Sequence, residues 1–176
     1  MTKLLQDQLI SSAPSRIVVV SSESHRFTKL KCPEDICEDT LSLPKDKYSD
    51  LQVYNISKLC NNLFSLHLNK QLLGKKVTCN SLHPGSCMST GIQRHWWLYR
   101  AIFFLVRPFT KSLQQGASTT VYCAASPDIA ELGGMYFNNC CPCKPSKEAL
   151  DEKMAQRLWT VSDNILENRL NRWTTI

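Results

Sequence analysis

The sequence lacks both a long hydrophobic run and a secretory signal. Its longest apolar stretch, Trp96–Val106, contains Arg100 and is too short to cross a bilayer. Residues 1–16 carry Gln and Asp where a signal peptide would have its apolar segment, and their pattern is that of an amphipathic helix. No membrane-spanning segment and no signal peptide are therefore predicted. The aromatic Trp96–Val106 stretch would pack inside the domain, cover an apolar substrate or lie on a membrane surface.

Concentrated positive charge is also missing. Lys and Arg total 21 residues against 15 Asp and Glu, but they are scattered along the chain. Nucleic-acid-binding proteins usually gather such charge on one face, with aromatic residues between the basic ones. We therefore expect no nucleic-acid partner.

Cysteine is abundant, with nine residues in a chain of 176. Because the number is odd and no secretory signal is visible, we expect reduced thiols rather than disulfides. The cluster of Cys140, Cys141 and Cys143 lacks the paired Cys-x-x-Cys spacing that is typical of a structural zinc site. We predict no metal centre.

The length and the hydropathy pattern predict one α/β domain over residues 1–176. An apolar content of 43% in a chain of this size is enough for a single core. Predicted strands lie in Arg16–Ser22, Lys75–Gly85 and Gly133–Asn139, and predicted helices in residues 1–16, Tyr48–Leu73, Thr110–Ser126 and Lys147–Trp173. The alternation of helices and strands favours a parallel sheet.

Tyr54 and Lys58 are four residues apart in one of these helices, so their side chains share a face. A tyrosine has a pKa of about 10, which is too high for efficient proton transfer near neutral pH. A nearby lysine ammonium stabilises the phenolate and would let the tyrosine act as a general acid or base. The pair alone is weak support, because this spacing also occurs by chance on exposed helices.

Two strand ends strengthen the pattern. Ser21 and Ser22 close the first strand and Pro84-Gly85 closes the second, at the carboxyl edge where α/β sheets bind ligands. The helix with Tyr54 and Lys58 connects these two strands. The segments RIVVVSSESHRF, YNISKLCNNLFSLHLNKQL, VTCNSLHPG and GGMYFNNCCPC resemble the short-chain dehydrogenase/reductase family, in its retinol-dehydrogenase-like branch.

This resemblance implies a Rossmann-type doubly wound sheet and hydride transfer between NAD or NADP and a carbonyl or alcohol. The implied substrate is small and apolar, of retinoid or steroid type. By position, Tyr54 would protonate the substrate oxygen, Lys58 would activate Tyr54 and hold the nicotinamide ribose, and Ser22 would hydrogen-bond the substrate oxygen. Pro84 and Gly85 would let the backbone approach the nicotinamide. The family also implies the cytoplasm, with mitochondrial or membrane-surface association as alternatives.

The family's pyrophosphate-binding turn, Gly-x-x-x-Gly-x-Gly, does not occur in these 176 residues. We therefore expect an N-terminally truncated domain with weak nicotinamide binding and low solubility. Its first strand would have an unpaired outer edge from Val18 to Val20. An alternative function follows from this edge, namely a catalytically inactive fragment that binds a protein partner there. The choice between NAD and NADP is left open.

Overall fold

The structure is a computed structural model that describes residues 1–85 and 112–174. The Trp96–Val106 stretch therefore lies outside the described residues. The strands are β1 (Ser15–Val20), β2 (Val77–His83), β3 (Tyr136–Asn138) and β4 (Cys141–Cys143). They form one sheet in the order β1-β2-β3-β4, in which β1, β2 and β3 are parallel and β4 is antiparallel to β3. The predicted α/β class and the partial Rossmann-type sheet are confirmed.

The described α-helices are α1 (Gln6–Ser11), α2 (Glu38–Leu41), α3 (Asp50–Gln71), α4 (Leu113–Ala125) and α5 (Glu152–Thr174). Helix α3 lies inside the predicted range. Helix α5 begins later than predicted, because Glu148–Leu150 forms a 3-10 turn. Asp151 Oδ1 then accepts the backbone N–H groups of Lys153 at 2.8 Å and Met154 at 3.0 Å, which caps the first turn of α5.

Helices cover both faces of the sheet. Side chains alternate along a strand, so Ile17 and Val19 of β1 pack with α3 and α5, whereas Val18 packs on the opposite face with Cys123 of α4. Two helices on one face and one on the other make the sheet doubly wound. This sandwich fixes the direction of all three parallel strands, and with it the edge at which their carboxyl ends meet.

The largest hydrophobic cluster lies between α3 and α5. Leu59 and Leu63 of α3 and Met154 of α5 are each 0% exposed. The long connection between β1 and α3 joins this cluster through Leu30 and Ile36, which are both buried. This polar connection is therefore packed onto the domain at these two residues.

Strand β1 lies at the edge of the described sheet. Its odd-numbered residues face β2, as the bonds from Ser15 N to Lys76 O at 3.2 Å and from Ser21 N to Leu82 O at 2.7 Å show. In a parallel strand the two backbone groups of a residue point the same way, so those of Val18 and Val20 point outward. The Val20 side chain is 42% exposed. None of the described helices is apolar and long enough to span a membrane.

Candidate active site

Ser21 and Ser22 carry the chain out of β1 and onto α3. Ser21 is buried, and its hydroxyl donates to the Lys58 carbonyl oxygen at 2.8 Å. Ser22 caps the 3-10 turn Glu23–Phe27: its Oγ accepts the Ser24 N–H at 3.3 Å and lies 2.6 Å from the Ser24 hydroxyl. The two hydroxyls thus differ in function. Ser21 ties β1 to α3, whereas Ser22 presents its hydroxyl in a short polar turn.

Tyr54 and Lys58 lie on the same face of α3 beside the end of β1. The Lys58 ammonium is 5.3 Å from the centroid of the Tyr54 ring, a distance at which cation and ring attract each other. The same nitrogen lies 3.5 Å from the Val20 carbonyl oxygen, which also accepts a hydrogen bond from Asn61 Nδ2 at 3.0 Å. Lys58 therefore bridges the tyrosine and the carboxyl end of β1.

The Tyr54 side chain is 44% exposed, and no described residue hydrogen-bonds its hydroxyl. The structure thus brings Tyr54 together with Lys58, and Lys58 together with the end of β1. The described hydrogen bonds of the Ser22 hydroxyl are to Ser24 rather than to Tyr54, so the structure does not join the two predicted site hydroxyls directly.

Pro84 and Gly85 follow β2 directly and are half-buried. Gly85 has a φ of 118°, a backbone conformation that side-chain-bearing residues rarely adopt. Next to this turn, the ring nitrogen Nδ1 of His83 accepts the Glu23 N–H at 3.4 Å. That bond joins the end of β2 to the turn that follows Ser22, so the predicted turn and the predicted serine lie on neighbouring, linked strand ends.

A group of polar residues beyond Ser22 was not predicted as part of the site. Glu23 accepts hydrogen bonds from the Tyr136 hydroxyl at 2.8 Å and from Arg26 Nε at 2.6 Å. Burial raises the pKa of Glu23, but the hydrogen bonds from Arg26 and Tyr136 outweigh it and hold that pKa below its usual value. Burial, followed by the Glu23 carboxylate, raises the pKa of Tyr136 well above its usual value.

His25 completes this group. It is 0% exposed, and burial lowers the pKa of its imidazole. Its ring lies edge-on to that of Tyr136, with 5.1 Å between the centroids. The signals in the sequence were the Glu-x-His that follows the serine pair and the tyrosine in GGMYFNN. From the sequence alone, His25 is most simply interpreted as a polar residue of a loop. No spacing rule links it to Tyr136.

The glycines of the described residues do not supply a phosphate cradle. A Cβ on Gly133 would lie 2.2 Å from Asn69 Oδ1, so the space at Gly133 is already filled by a side chain of α3. Gly116 lies within α4 and Gly74 follows the end of α3. The described glycines therefore do not form a cradle for a pyrophosphate.

The chain is similar in sequence to proteins that are named as oxidoreductases. No protein-family model matches the chain. It is 52% identical over 171 residues to the human WW domain-containing oxidoreductase, a match that covers 97% of this chain and 41% of the relative. The Drosophila melanogaster protein of the same name is 43% identical over 162 residues, and this chain covers 39% of it.

More distant relatives are similar to this chain over nearly the same residues. Mouse retinol dehydrogenase 12 is 37% identical over 166 residues, which is 94% of this chain and 50% of the relative. A crystal structure of an uncharacterized protein from Mycobacterium paratuberculosis aligns with a TM-score of 0.59 and 25% identity, over 87% of this chain and 50% of that one. The chain thus spans half or less of the length of these relatives.

Proposed function

Because this chain is a relative of the short-chain dehydrogenase/reductase family, in its retinol-dehydrogenase-like branch, we propose that it carries the proton-transfer half of an oxidoreductase site. In this proposal Tyr54 is the general acid that protonates a carbonyl oxygen, or the base that deprotonates an alcohol. Ser22 hydrogen-bonds the same oxygen. Lys58 stabilises the phenolate that Tyr54 leaves after giving up its proton.

One observation supports the proposal above the others: the Lys58 ammonium, 5.3 Å from the Tyr54 ring centroid, also reaches the carbonyl oxygen of Val20 at 3.5 Å. In the proposal this cation is the group that offsets the negative charge that forms on the tyrosine oxygen during proton transfer. It also holds the tyrosine at the carboxyl edge of the sheet, where ligands of α/β proteins bind.

The proposed cofactor is NAD or NADP, which supplies or accepts the hydride when bound. Lys58 and Tyr54 would bind its nicotinamide ribose, and the Pro84-Gly85 turn would leave room for the nicotinamide ring. Since no glycine-rich turn is present in these 176 residues, we expect the affinity of the chain for either nucleotide to be weak.

The proposed substrate is a small apolar carbonyl or alcohol of retinoid or steroid type. The name of the mouse relative, retinol dehydrogenase 12, supports this class. Leu51 supports it too, because this apolar side chain lies one helical turn before Tyr54 and is 70% exposed. We keep the cytoplasm as the proposed location.

A turnover assay tests this function. The purified chain is incubated with millimolar NADPH or NADH and a retinal or steroid ketone, and the wild type is compared with Tyr54→Phe and Tyr48→Phe. Tyr48 is 55% exposed and precedes α3, so it is a matched control. We expect Tyr54→Phe to lower the rate about 100-fold or more and Tyr48→Phe to leave it unchanged. Absence of turnover in the wild type, or equal rates for the two variants, would contradict the proposal.

The competing proposal is an inactive fragment that binds a protein through the β1 edge. It is supported by the outward backbone groups of Val18 in the described sheet, whereas the Val20 carbonyl already accepts a hydrogen bond from Asn61 Nδ2. A wild-type chain that shows no turnover, yet forms a complex that a Val20→Lys variant loses, would favour this second function.

A further inference from the structure

His25 is enclosed at the junction between the serine-bearing turn and the loop that follows β4. Its Nδ1 lies 2.6 Å from the Ser22 carbonyl oxygen, and its Nε2 lies 3.1 Å from the Ser146 backbone nitrogen. A carbonyl can only accept and a backbone N–H can only donate. The hydrogen therefore resides on Nδ1, while Nε2 is the acceptor. Both nitrogens are satisfied only in this neutral tautomer.

Two further contacts join the same pair of segments. The Tyr136 ring packs against the His25 ring, and its hydroxyl donates to Glu23, the residue after Ser22. Arg26 Nη2 donates to the Lys144 carbonyl oxygen at 2.8 Å. Residues on both sides of His25 are thus anchored to β3 or to the loop after β4, and His25 is the buried member of the set.

We propose that His25 is the positioning residue of Ser22: its Nδ1–H holds the Ser22 carbonyl, and thereby the serine hydroxyl, at the carboxyl edge of the sheet. The inference rests on the proposed function only because that function gives the Ser22 hydroxyl a role in substrate binding. The position of Ser22 relative to His25 is supported by the hydrogen bonds of His25 alone. Tyr54 and Lys58 are positioned independently, because both belong to α3.

The physical reason for this role lies in how β1 ends. The regular strand stops at Val20, and Ser21 makes its last backbone bond to β2. From Ser22 onward the chain turns away, so the Ser22 carbonyl has no strand partner and is buried with the residue, which is 8% exposed. The Ser22 carbonyl also accepts the His25 backbone N–H at 3.2 Å, but its bond to the imidazole, at 2.6 Å, is the shorter of the two. Loss of one of two donors to a buried carbonyl is destabilising, so removing the His25 side-chain donor would loosen the turn that carries the Ser22 hydroxyl.

The first experiment is an NMR measurement on the wild-type chain with ¹⁵N-labelled histidine. Long-range proton–nitrogen correlations identify which ring nitrogen carries the hydrogen. We expect His25 to be neutral with its hydrogen on Nδ1 at pH 7. A hydrogen on Nε2, or a doubly protonated ring, would overturn the proposal. This outcome does not depend on any variant folding or on any turnover.

The second experiment compares hydrogen exchange in His25→Leu, His25→Asn and a control, His67→Leu, whose histidine lies on α3 away from the serine turn. In His25→Leu we expect the amide exchange rates of residues 22–27 to rise about ten-fold. This factor corresponds to the free energy of one lost buried hydrogen bond. The α3 core should stay protected. In His25→Asn, whose amide can donate in place of Nδ1–H, part of this protection should return.

Unchanged exchange of residues 22–27 in His25→Leu, or an equal rise across α3, would overturn the positioning role. Where the wild type turns over, His25→Leu should lower kcat about ten-fold and leave the KM for the nucleotide within about two-fold, since Lys58 is untouched. An unchanged kcat would also overturn it. A wild type without turnover contradicts the proposed function alone, because the tautomer and exchange results are read without substrate.

Discussion

Asn69, on the last turns of α3, occupies the space beside two glycines that precede β3. Its Oδ1 accepts the Cys79 N–H at 3.0 Å, and a Cβ on Gly133 would meet that oxygen at 2.2 Å. We predict that Gly133→Ala destabilises the fold by about 1–3 kcal/mol, because Asn69 must move and leave a backbone donor unpaired. Urea unfolding measures this change. The same substitution made in an Asn69→Ala background should cost much less, and equal costs in both backgrounds would contradict the explanation.

Two histidines predict a pH dependence of stability, namely His25, which is buried, and His67, which is partly buried. Burial lowers the pKa of His25, and burial followed by the charge of Lys70 lowers that of His67. Below the unfolded pKa of about 6.5, the unfolded chain takes up protons that the folded chain does not. The free energy of unfolding should therefore fall as the pH drops below about 6.5, and histidine should contribute no slope above it.

Urea unfolding at a series of pH values from neutral to mildly acidic tests this prediction. His25→Asn and His67→Asn should each remove part of the slope. A free energy of unfolding that stays constant over that interval in the wild type, or a slope that neither variant changes, would show that these histidines titrate normally in the folded protein.

At the scale of elements, helix α3 supplies both the core and the site from different faces. Leu59 is 0% exposed between Lys58 and Cys60, whereas Leu51 is 70% exposed near the start of the helix. We predict that Leu59→Ala lowers the free energy of unfolding by about 2–5 kcal/mol through loss of burial and a new cavity. Leu51→Ala on the same helix should change it by about 0.5 kcal/mol or less. Similar effects of the two substitutions in urea unfolding would contradict this assignment of the faces.

The sequence predicted the long elements better than the short ones. The apolar spacing along α3 and the β-branched run of β1 are strong local signals. The structure contains α3 within the predicted range, and β1 begins one residue earlier and ends two residues earlier than predicted. Strand β4 was missed. It has only three residues, one of them a proline, and it depends on a tight turn in which Asn139 and Cys140 both have positive φ. The α5 start was predicted too early because a capping aspartate inside a helical pattern was not distinguished from a helix residue.

In the candidate site, too, contacts between residues close in sequence could be predicted, whereas contacts between distant residues could not. Tyr54 and Lys58 could be paired from their spacing, because four residues along a helix fix their relative position. His25 and Tyr136 could not be paired, since more than a hundred residues separate them and their contact depends on how β3 lies beside β2. The participation of Ser22, Pro84 and Gly85 came from family resemblance together with their place at strand ends, and it remains a prediction.

For the whole molecule, we expect the edge at β1 to govern association. The outward backbone groups of Val18 can pair with another chain, and the exposed Val20 side chain offers apolar contact area, although the Val20 carbonyl is already bonded to Asn61. We predict that the wild-type chain self-associates and that Val20→Lys reduces the association constant about ten-fold or more. Val121→Lys, on an α4 residue that is 60% exposed, is the matched control and should have little effect. Sedimentation velocity over a concentration series measures both, and equal behaviour of the two variants would show that β1 is not the contact.

The central claim is that Tyr54, supported by Lys58, transfers a proton at the carboxyl edge of this sheet during hydride transfer. The most direct measurement uses NADPH with deuterium at both C4 positions and follows the label into the alcohol product by mass spectrometry. We predict deuterium at the former carbonyl carbon with the wild type and with Tyr48→Phe, and about 100-fold less with Tyr54→Phe. An unlabelled product with the wild type, or equal labelling with Tyr54→Phe, would contradict the account.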